Sequence, residues 1–400
     1  MRKLDLRTGR PVWTAYRVPA VPAHTLTRDI RCDVLVVGMG ISGAMVAETL
    51  TGEGHNVVMI DRRGPLKGST AATTALVQYE IDTPLSKLAL TIGRAQAERA
   101  WRRSRLAVMN LKAHIEELGI ACDLAIRPTL YLAGNELSGR ALEAEAHARR
   151  DAGLLSRYLT AKPLKDEFGI ERDGAILSRD NLALDPRKLT AGLLNHARDR
   201  GARFYKKVEA TEFVHAKDGV EVATKHGPTI AAQHVVLCTG YELLPFLPAD
   251  NHQVISTWAI ATRPQKRNLW PQQAFIWEAS TPYLYLRATK DGRVVCGGED
   301  EEFQDEARRD AAIPAKTAAI VAKLKQLMPQ LDATPEFAWA GAFGSTSTGL
   351  PIIGKVPRKP RIHAVLGYGG NGITYSRIAS EIVTAAIAGR TDSDLDLFDF

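Results

Sequence analysis

The clearest hydrophobic signal in the chain is the unbroken run Val34-Leu35-Val36-Val37 after Asp33. It is too short for a helix and rich in β-branched side chains, so it reads as a parallel strand buried on both faces. It passes into Gly38-Met39-Gly40-Ile41-Ser42-Gly43, and then into Ala44 to Leu50 at helical spacing, with Gly54 as the stop. A second buried strand, Asn56 to Ile60, ends in Asp61. Further along, the pattern predicts helices over 84–118, over 139–155, and from Asp185-Pro186 to just before Gly201. Short strands are predicted at 125–132, 204–211, 220–224 and 234–238. From Val254 to Val295 the alternation becomes antiparallel, and Tyr283 to Arg287, the turn Asp291-Gly292 and Arg293 to Cys296 form a hairpin signature. The chain ends in a strand at 362–366, the glycine cluster 367–372 and a helix from about 373 to 388.

The first unit carries chemistry. Strand, GxGxxG, helix, strand and acid follow one another, with Asp61 eighteen residues after the last glycine. In that context the glycines signal a dinucleotide. Gly38 permits the tight turn, Gly40 admits a pyrophosphate against the backbone, and Gly43 lets the helix pack on the strand. The helix N-terminus offers free N–H groups and partial positive charge. Asp61 accepts from ribose hydroxyls and disfavours a 2′-phosphate, which argues against NADP.

Composition mainly excludes. A chain of 400 residues suits two domains. The net charge of +7 is uneven: residues 1–30 contribute +4 and the last ten residues −4. No Lys/Arg run interleaved with aromatics marks a nucleic-acid surface, and Arg94, Arg99, Arg102, Arg103 and Arg105 read as a solvated helix face. Cys32, Cys122, Cys238 and Cys296 form no CxxC pair and are expected to be buried thiols. The histidines lack metal spacing, and no Ser/His/Asp triad is suggested. No apolar stretch approaches the roughly 20 residues of a membrane span and no signal peptide is evident, so a cytoplasmic protein without a membrane span or metal is expected.

Several motifs in order resemble the D-amino-acid-oxidase-like (DAO) FAD-dependent oxidoreductases, nearest the glycine oxidase and gamma-glutamylputrescine oxidase branches. They are GMGISG with Asp61, GSTAATTAL at 68–76, VVLCTGY at 235–241, DGRVVCGGED at 291–300, GLPIIG at 349–354 and GYGGNGITYS at 367–376. The resemblance spans nearly the whole chain. It implies an α/β fold: a Rossmann-like FAD-binding domain (30–85, 180–250 and 345–400) and an inserted substrate domain of mixed antiparallel sheet (86–179 and 251–344), after an N-terminal extension (1–29).

It also implies site residues. Gly38, Gly40, Ile41, Ser42 and Gly43 would line the pyrophosphate, Asp61 the adenosine ribose, and Arg62 and Arg63 the adenosine end. Gly68, Ser69, Thr70, Thr73, Thr74, Ala75 and Leu76 would run under the ribityl chain and flavin. Ala210 (or Val208) would meet the adenine, and Thr239 and Gly240 would close that pocket. Gly369, Gly370, Asn371, Gly372, Ile373 and Thr374 would present a helix N-terminus to the negative charge of reduced flavin.

Departures shape the substrate reading. Gly341 stands near the position where sarcosine-oxidase-type members attach flavin to a cysteine, so noncovalent FAD is expected. Phe343 stands where glycine-oxidase-like members hold a carboxylate-gripping arginine, which disfavours simple α-amino acids. Val295 stands where sarcosine oxidases place the lysine that assists dioxygen, so dioxygen and another electron acceptor both stay open. The remaining candidates for the substrate site are the aromatic Trp258, Tyr283, Tyr285, Phe343 and Tyr368, a set suited to a cationic or secondary amine, together with Gln78 and Glu80 after the flavin loop. Arg287 would grip an acidic substrate group, or pair with Glu299, Asp300 or Glu301. The expected function is FAD-dependent oxidation of a C–N bond in a small amine or amino-acid derivative, by hydride transfer to flavin and hydrolysis of the imine. The alternatives are a hydroxy-acid dehydrogenase and a flavin-binding interaction or RNA-linked module, the latter resting on the arginine-rich stretch.

Overall fold

The computed structural model describes residues 4–248 and 252–400 and builds the chain around two sheets. The expected boundary at 250/251 and the start of the 1–29 extension lie outside the described residues. In the eight-stranded sheet the order is Ile352–Lys355, Ile362–Leu366, Gly227–Leu237, Ile30–Val37, Val57–Asp61 and Arg203–Lys206. Its four inner contacts are parallel up to the antiparallel Ile352–Lys355 edge. Val34, Leu35 and Val36 are fully buried, because Ile41–Gly52 and Gly372–Ile387 pack on one face of this sheet while Phe213, Val220, Val222 and Leu244 cover the other. That double burial is why the strand reads as an unbroken apolar run. The antiparallel strands Ala210–Ala216 and Gly219–Thr224 extend it beside Gly227–Leu237.

The ten-stranded sheet runs Arg7–Gly9, Pro335–Thr346, His252–Thr262, Val294–Glu301, Leu284–Ala288, Phe275–Glu278, Ala125–Leu132, Gly174–Ala183 and Leu76–Val77, with Ser156–Thr160 branching from Gly174–Ala183. It is antiparallel except where Phe275–Glu278 runs parallel to Ala125–Leu132. One irregularity matters below. Ser256 pairs with Glu301 and Trp258 with Gly298, so Thr257 alone faces both Glu299 and Asp300. This is a β-bulge.

Two local expectations are corrected. The helix expected over 84–118 is two helices, Leu85–Ile92 and Arg94–Glu117, broken at Gly93, whose φ of +88° no helix interior accepts. The arginine-rich face is not simply solvated. Arg103 is buried and pairs with Glu381 at 2.7 Å and Asp392 at 3.2 Å, while Arg99 holds Asp394 and Asp396. Arg105 pairs with Asp180 at 2.6 Å. These guanidiniums bind the chain's own acids, which removes the observation behind an RNA-linked role. Other features fold as written: Asp185 caps its helix by accepting from the N–H groups of Arg187 and Lys188, and the four cysteines are buried and unpaired. No described helix is long and apolar enough to cross a membrane, and the described residues contain no cluster of metal-ligating side chains.

Candidate active site

At the C-terminal edge of Ile30–Val37 the chain turns at Gly38 with φ +116°, where a Cβ would lie 2.2 Å from the Cys238 carbonyl oxygen. A Cβ on Gly43 would lie 2.0 Å from the Gly38 carbonyl oxygen, so the helix starts against the turn only because both positions lack side chains. Gly40, whose Cβ would meet only the Thr70 hydroxyl at 3.2 Å, leaves the helix mouth open to a cavity. This switch from strand to helix is where doubly wound sheets receive ligands.

The cavity wall includes Gly38, Gly40, Ile41 and Ser42 from the turn, and Asp61, Arg62 and Arg63 from the next strand end. The loop contributes Gly68, Ser69, Thr70, Thr73, Thr74 and Leu76, and the opposite side Ala210, Val208, Thr239 and Gly240. Gly369, Gly370, Asn371, Gly372 and Ile373 come from the last helix start, and Gly341 from the second sheet. Three expected residues stand behind the wall. Gly43 holds the helix against the turn, the Ala75 carbonyl accepts from Arg287 at 2.5 Å, and Thr374 Oγ1 donates to the Gln78 carbonyl at 2.7 Å.

Several groups already have partners. Asp61 accepts from the N–H groups of Met39, Arg63 and Gly64, which fixes its carboxylate at the turn. Arg63 makes a bidentate pair with Glu242 and also donates to the Leu4 carbonyl, while Arg62 pairs with Glu242 and, at 3.7 Å, with Glu209. The arginines thus anchor the wall through an acid that the sequence reading missed. The Gly370 N–H is taken by Asp82 Oδ2 at 2.8 Å, so of the expected amide cradle Gly372 and Ile373 remain at the helix start. Burial raises the pKa of the Asp82 carboxyl.

At the far end the wall is formed by Gln78, Asp82, Thr257, Trp277, Tyr283, Tyr285, Ala342 and Phe343. Two expected residues are absent from it. Trp258 is buried on the other face of its strand, its indole N–H donating to the Arg309 carbonyl at 3.0 Å. Arg287 is buried and donates to the carbonyls of Ala75 and Leu184, with no carboxylate partner at 299–301. A cation at that depth needs acceptors, and the loop carbonyls supply them. Glu80 is likewise buried behind the wall, near Asn181. Trp277 was not anticipated. It stacks on Tyr131 at 3.9 Å between ring centroids, and counting register from the hairpin would have placed it opposite Tyr285.

Polar atoms without protein partners cluster on this wall. They are Thr239 Oγ1 and Tyr368 Oη toward the glycine turn, and Thr257 Oγ1 and the Trp277 indole N–H at the aromatic end. Buried polar atoms left unpaired along a cavity indicate a polar ligand. The glycine turn, the helix mouth and the fixed Asp61 suit a dinucleotide lying along it.

The pattern of the family described as FAD dependent oxidoreductase (DAO) matches residues 33–386. The chain belongs to that family. DAO relatives include a probable oxidoreductase OrdL from Haemophilus influenzae, 23% identical over 94% of this chain and 86% of its own length. The gamma-glutamylputrescine oxidoreductase of Escherichia coli is 24% identical over 94% of this chain and 88% of its own. A glycine oxidase structure from Bacillus cereus superposes with a TM-score of 0.74 at 22% identity, covering 91% of this chain and 99% of that one. This DAO chain is an FAD-dependent oxidoreductase. Glycine stands at 341 and the one thiol in the wall, Cys238, is pushed up to about 12 by burial, in keeping with noncovalent FAD.

Proposed function

We propose that the enzyme oxidises the C–N bond of a small amine or amino-acid derivative, with FAD held along the cavity from Gly40 and Asp61 to Gly372 and Ile373. The sheet carrying the glycine turn would serve as the FAD-binding domain, over 30–85, 180–250 and 345–400, and 86–179 with 251–344 as the substrate domain. Held there, FAD would supply the acceptor for a hydride from the carbon that carries nitrogen, and water would hydrolyse the resulting imine.

The observation that carries this reading is the aromatic end of the cavity. Trp277, Tyr283, Tyr285 and Phe343 surround it, and among the described residues no basic side chain lines that end. These rings exclude water from the reacting carbon, and a substrate that enters as an ammonium ion must shed a proton before hydride loss, a step that desolvation eases. The Trp277 and Thr257 polar atoms, unpaired in the wall, orient the substrate. Phe343 offers nothing to a carboxylate, so α-amino acids gripped by their carboxylate fit poorly.

Anaerobic mixing of the FAD-loaded protein with amines, N-alkyl amino acids and hydroxy acids tests this. Bleaching of the flavin absorbance by amines, with ammonia or an amine released, is expected. Bleaching by hydroxy acids alone overturns the assignment to C–N bonds. Readmitting air then separates dioxygen from another acceptor.

A further inference from the structure

The β-bulge opposite Thr257 presents a carboxylate, Asp300, that makes no ion pair among the described residues. At Gly298 and Glu299 the backbone takes φ of +142° and +59°, a costly conformation for a glutamate, and the strand turns Asp300 toward the cavity wall. Strain of this kind persists where surrounding structure enforces it, often beside a functional site. Neither Asp300 oxygen makes a well-formed hydrogen bond, although the hydroxyls of Thr257 and Tyr283 stand against it. Both of these residues line the aromatic end of the cavity, as does Tyr285 beside them.

The charges around Asp300 are few. On its own strand, Glu299 and Glu301 take Lys316 of the neighbouring helix Ile313–Leu327, and Glu299 also takes Lys323. Lys316 further lies over the Trp258 ring at 4.8 Å, on the face away from the cavity. The other charged neighbour is Asp82, which also lines the cavity and is itself an acid. A buried, unpaired carboxylate is costly, and a cation entering the cavity would relieve that cost.

We propose that Asp300 is a positioning residue which, through the Tyr283 hydroxyl and its own unpaired charge, makes this end of the cavity select a cationic nitrogen. The proposal deepens the amine reading and rests on it, naming the substrate as one that arrives as an ammonium ion. An ionised Asp300 holds the Tyr283 proton, which leaves the phenol oxygen free to accept an N–H from the ligand. Its negative charge, one layer of side chains away in a water-poor wall, acts over short range with little screening. Burial pushes Asp300 up to about 6, with Asp82 adding to the rise and Lys316 opposing it. The carboxylate is therefore ionised at neutral pH and neutral below about 6, and the preference is present above that pH and fades below it.

The test uses a ligand that cannot react. tert-Butylammonium has no hydrogen on the carbon bearing nitrogen, and tert-butanol is its neutral counterpart. Each is titrated into the FAD-loaded protein, and binding is read from the perturbation of the flavin absorbance. At pH 8 the ammonium is expected to bind at least tenfold more tightly than the alcohol, with the ratio collapsing toward pH 5. Asp300→Asn should abolish the ratio at pH 8 while leaving the alcohol's affinity unchanged. Tyr283→Phe should reduce it, and Asp300→Asn should add little in that background. A ratio unaffected by Asp300→Asn, or no perturbation by the ammonium, overturns the proposal. Should Asp300→Asn fail to retain FAD, a wild-type ratio that stays constant from pH 8 to 5 overturns it equally. Failure of the amine reading looks different: tert-butylammonium is preferred, yet no oxidisable amine bleaches the flavin.

Discussion

The Arg63 guanidinium meets the Glu242 carboxylate through two hydrogen bonds, of 2.7 and 2.6 Å, and the same arginine donates to the Leu4 carbonyl. The Leu4 N–H in turn donates to Glu242 at 2.7 Å. One ion pair thereby ties together the end of Val57–Asp61, the loop after Gly227–Leu237 and the N-terminal segment. Leu6, two residues on, lines the cavity, and Arg7–Gly9 pairs with Pro335–Thr346. The N-terminal residues act as a strap across the cavity wall.

Removing Glu242 takes from Arg63 its bidentate partner and from Arg62 one of its carboxylates, in a wall where the Glu242 side chain is only 4% exposed. Glu242→Ala should therefore destabilise the apoprotein by about 3 kcal/mol in urea unfolding, the usual cost of breaking a buried pair. Weaker FAD retention on dilution should accompany it. An unchanged unfolding midpoint would show that the strap does not hold the wall.

The two glycines of the helix mouth separate folding from binding. Gly43→Ala forces a Cβ to 2.0 Å from the Gly38 carbonyl oxygen, which backbone cannot yield without moving the helix. Apoprotein stability should fall by about 2 kcal/mol or more, as for overpacked sites. Gly40→Ala meets only the Thr70 hydroxyl at 3.2 Å. Its apoprotein stability should stay within about 0.5 kcal/mol, while FAD affinity, measured by quenching of flavin fluorescence, falls at least tenfold. Equal losses of apoprotein stability in the two variants would contradict this division.

The difference between those halves of the site explains what the sequence made legible. The end of the cavity at the glycine turn was readable because its determinants are local: a glycine turn, the acid at the next strand end, and a hydroxyl-rich loop. The substrate end is built by strands whose side chains alternate between faces, and composition does not say which face meets the cavity. Trp258 is the larger residue, yet its neighbour Thr257 lines the cavity and Trp258 fills the core behind. Tyr283, Tyr285 and Arg287 alternate together, but Arg287 lies further along the strand, under the Ala75 loop. Asp300 is aimed by a bulge, which breaks the alternation a sequence reading relies on. Glu242 and Trp277 reach the wall from elements distant in sequence, and neither carries a local signal.

Charge arithmetic was similarly blind to pairing. The acidic tail and the arginine-rich helix, far apart in sequence, neutralise each other through Arg103 with Asp392 and Arg99 with Asp394 and Asp396. Arg103 also grips Glu381, on the helix that begins at Gly372 in the cavity wall. Arg103→Ala leaves these acids without their buried partner and should cost about 3 kcal/mol. Arg99, a third exposed, should cost less than about 1 kcal/mol when replaced by alanine. Proteolysis near residues 390–396 should accelerate in the Arg103 variant, and an equal response from both variants would count against this ranking.

Asp300 gives a stability prediction that is independent of any ligand. Its carboxyl is raised from 3.8 to about 6 by burial, so the folded protein holds a proton there that the unfolded chain has released. Where the native state binds more protons, stability falls as pH rises. The loss begins as pH passes about 4, grows through the interval up to about 6, and is complete above it. A rise of about two pH units corresponds to roughly 3 kcal/mol. Asp82, also raised by burial, adds to the rise of Asp300, so Asp300→Asn removes that repulsion together with the buried charge. The variant should match the wild type within about 1 kcal/mol at pH 4 and exceed it by about 2–3 kcal/mol at pH 7. Urea unfolding of the two apoproteins at both pH values measures this directly. A variant less stable than wild type at pH 7 would mean that the ionised Asp300 is held by partners the fold does not show, and the cavity would then have no unmet charge to offer a cation.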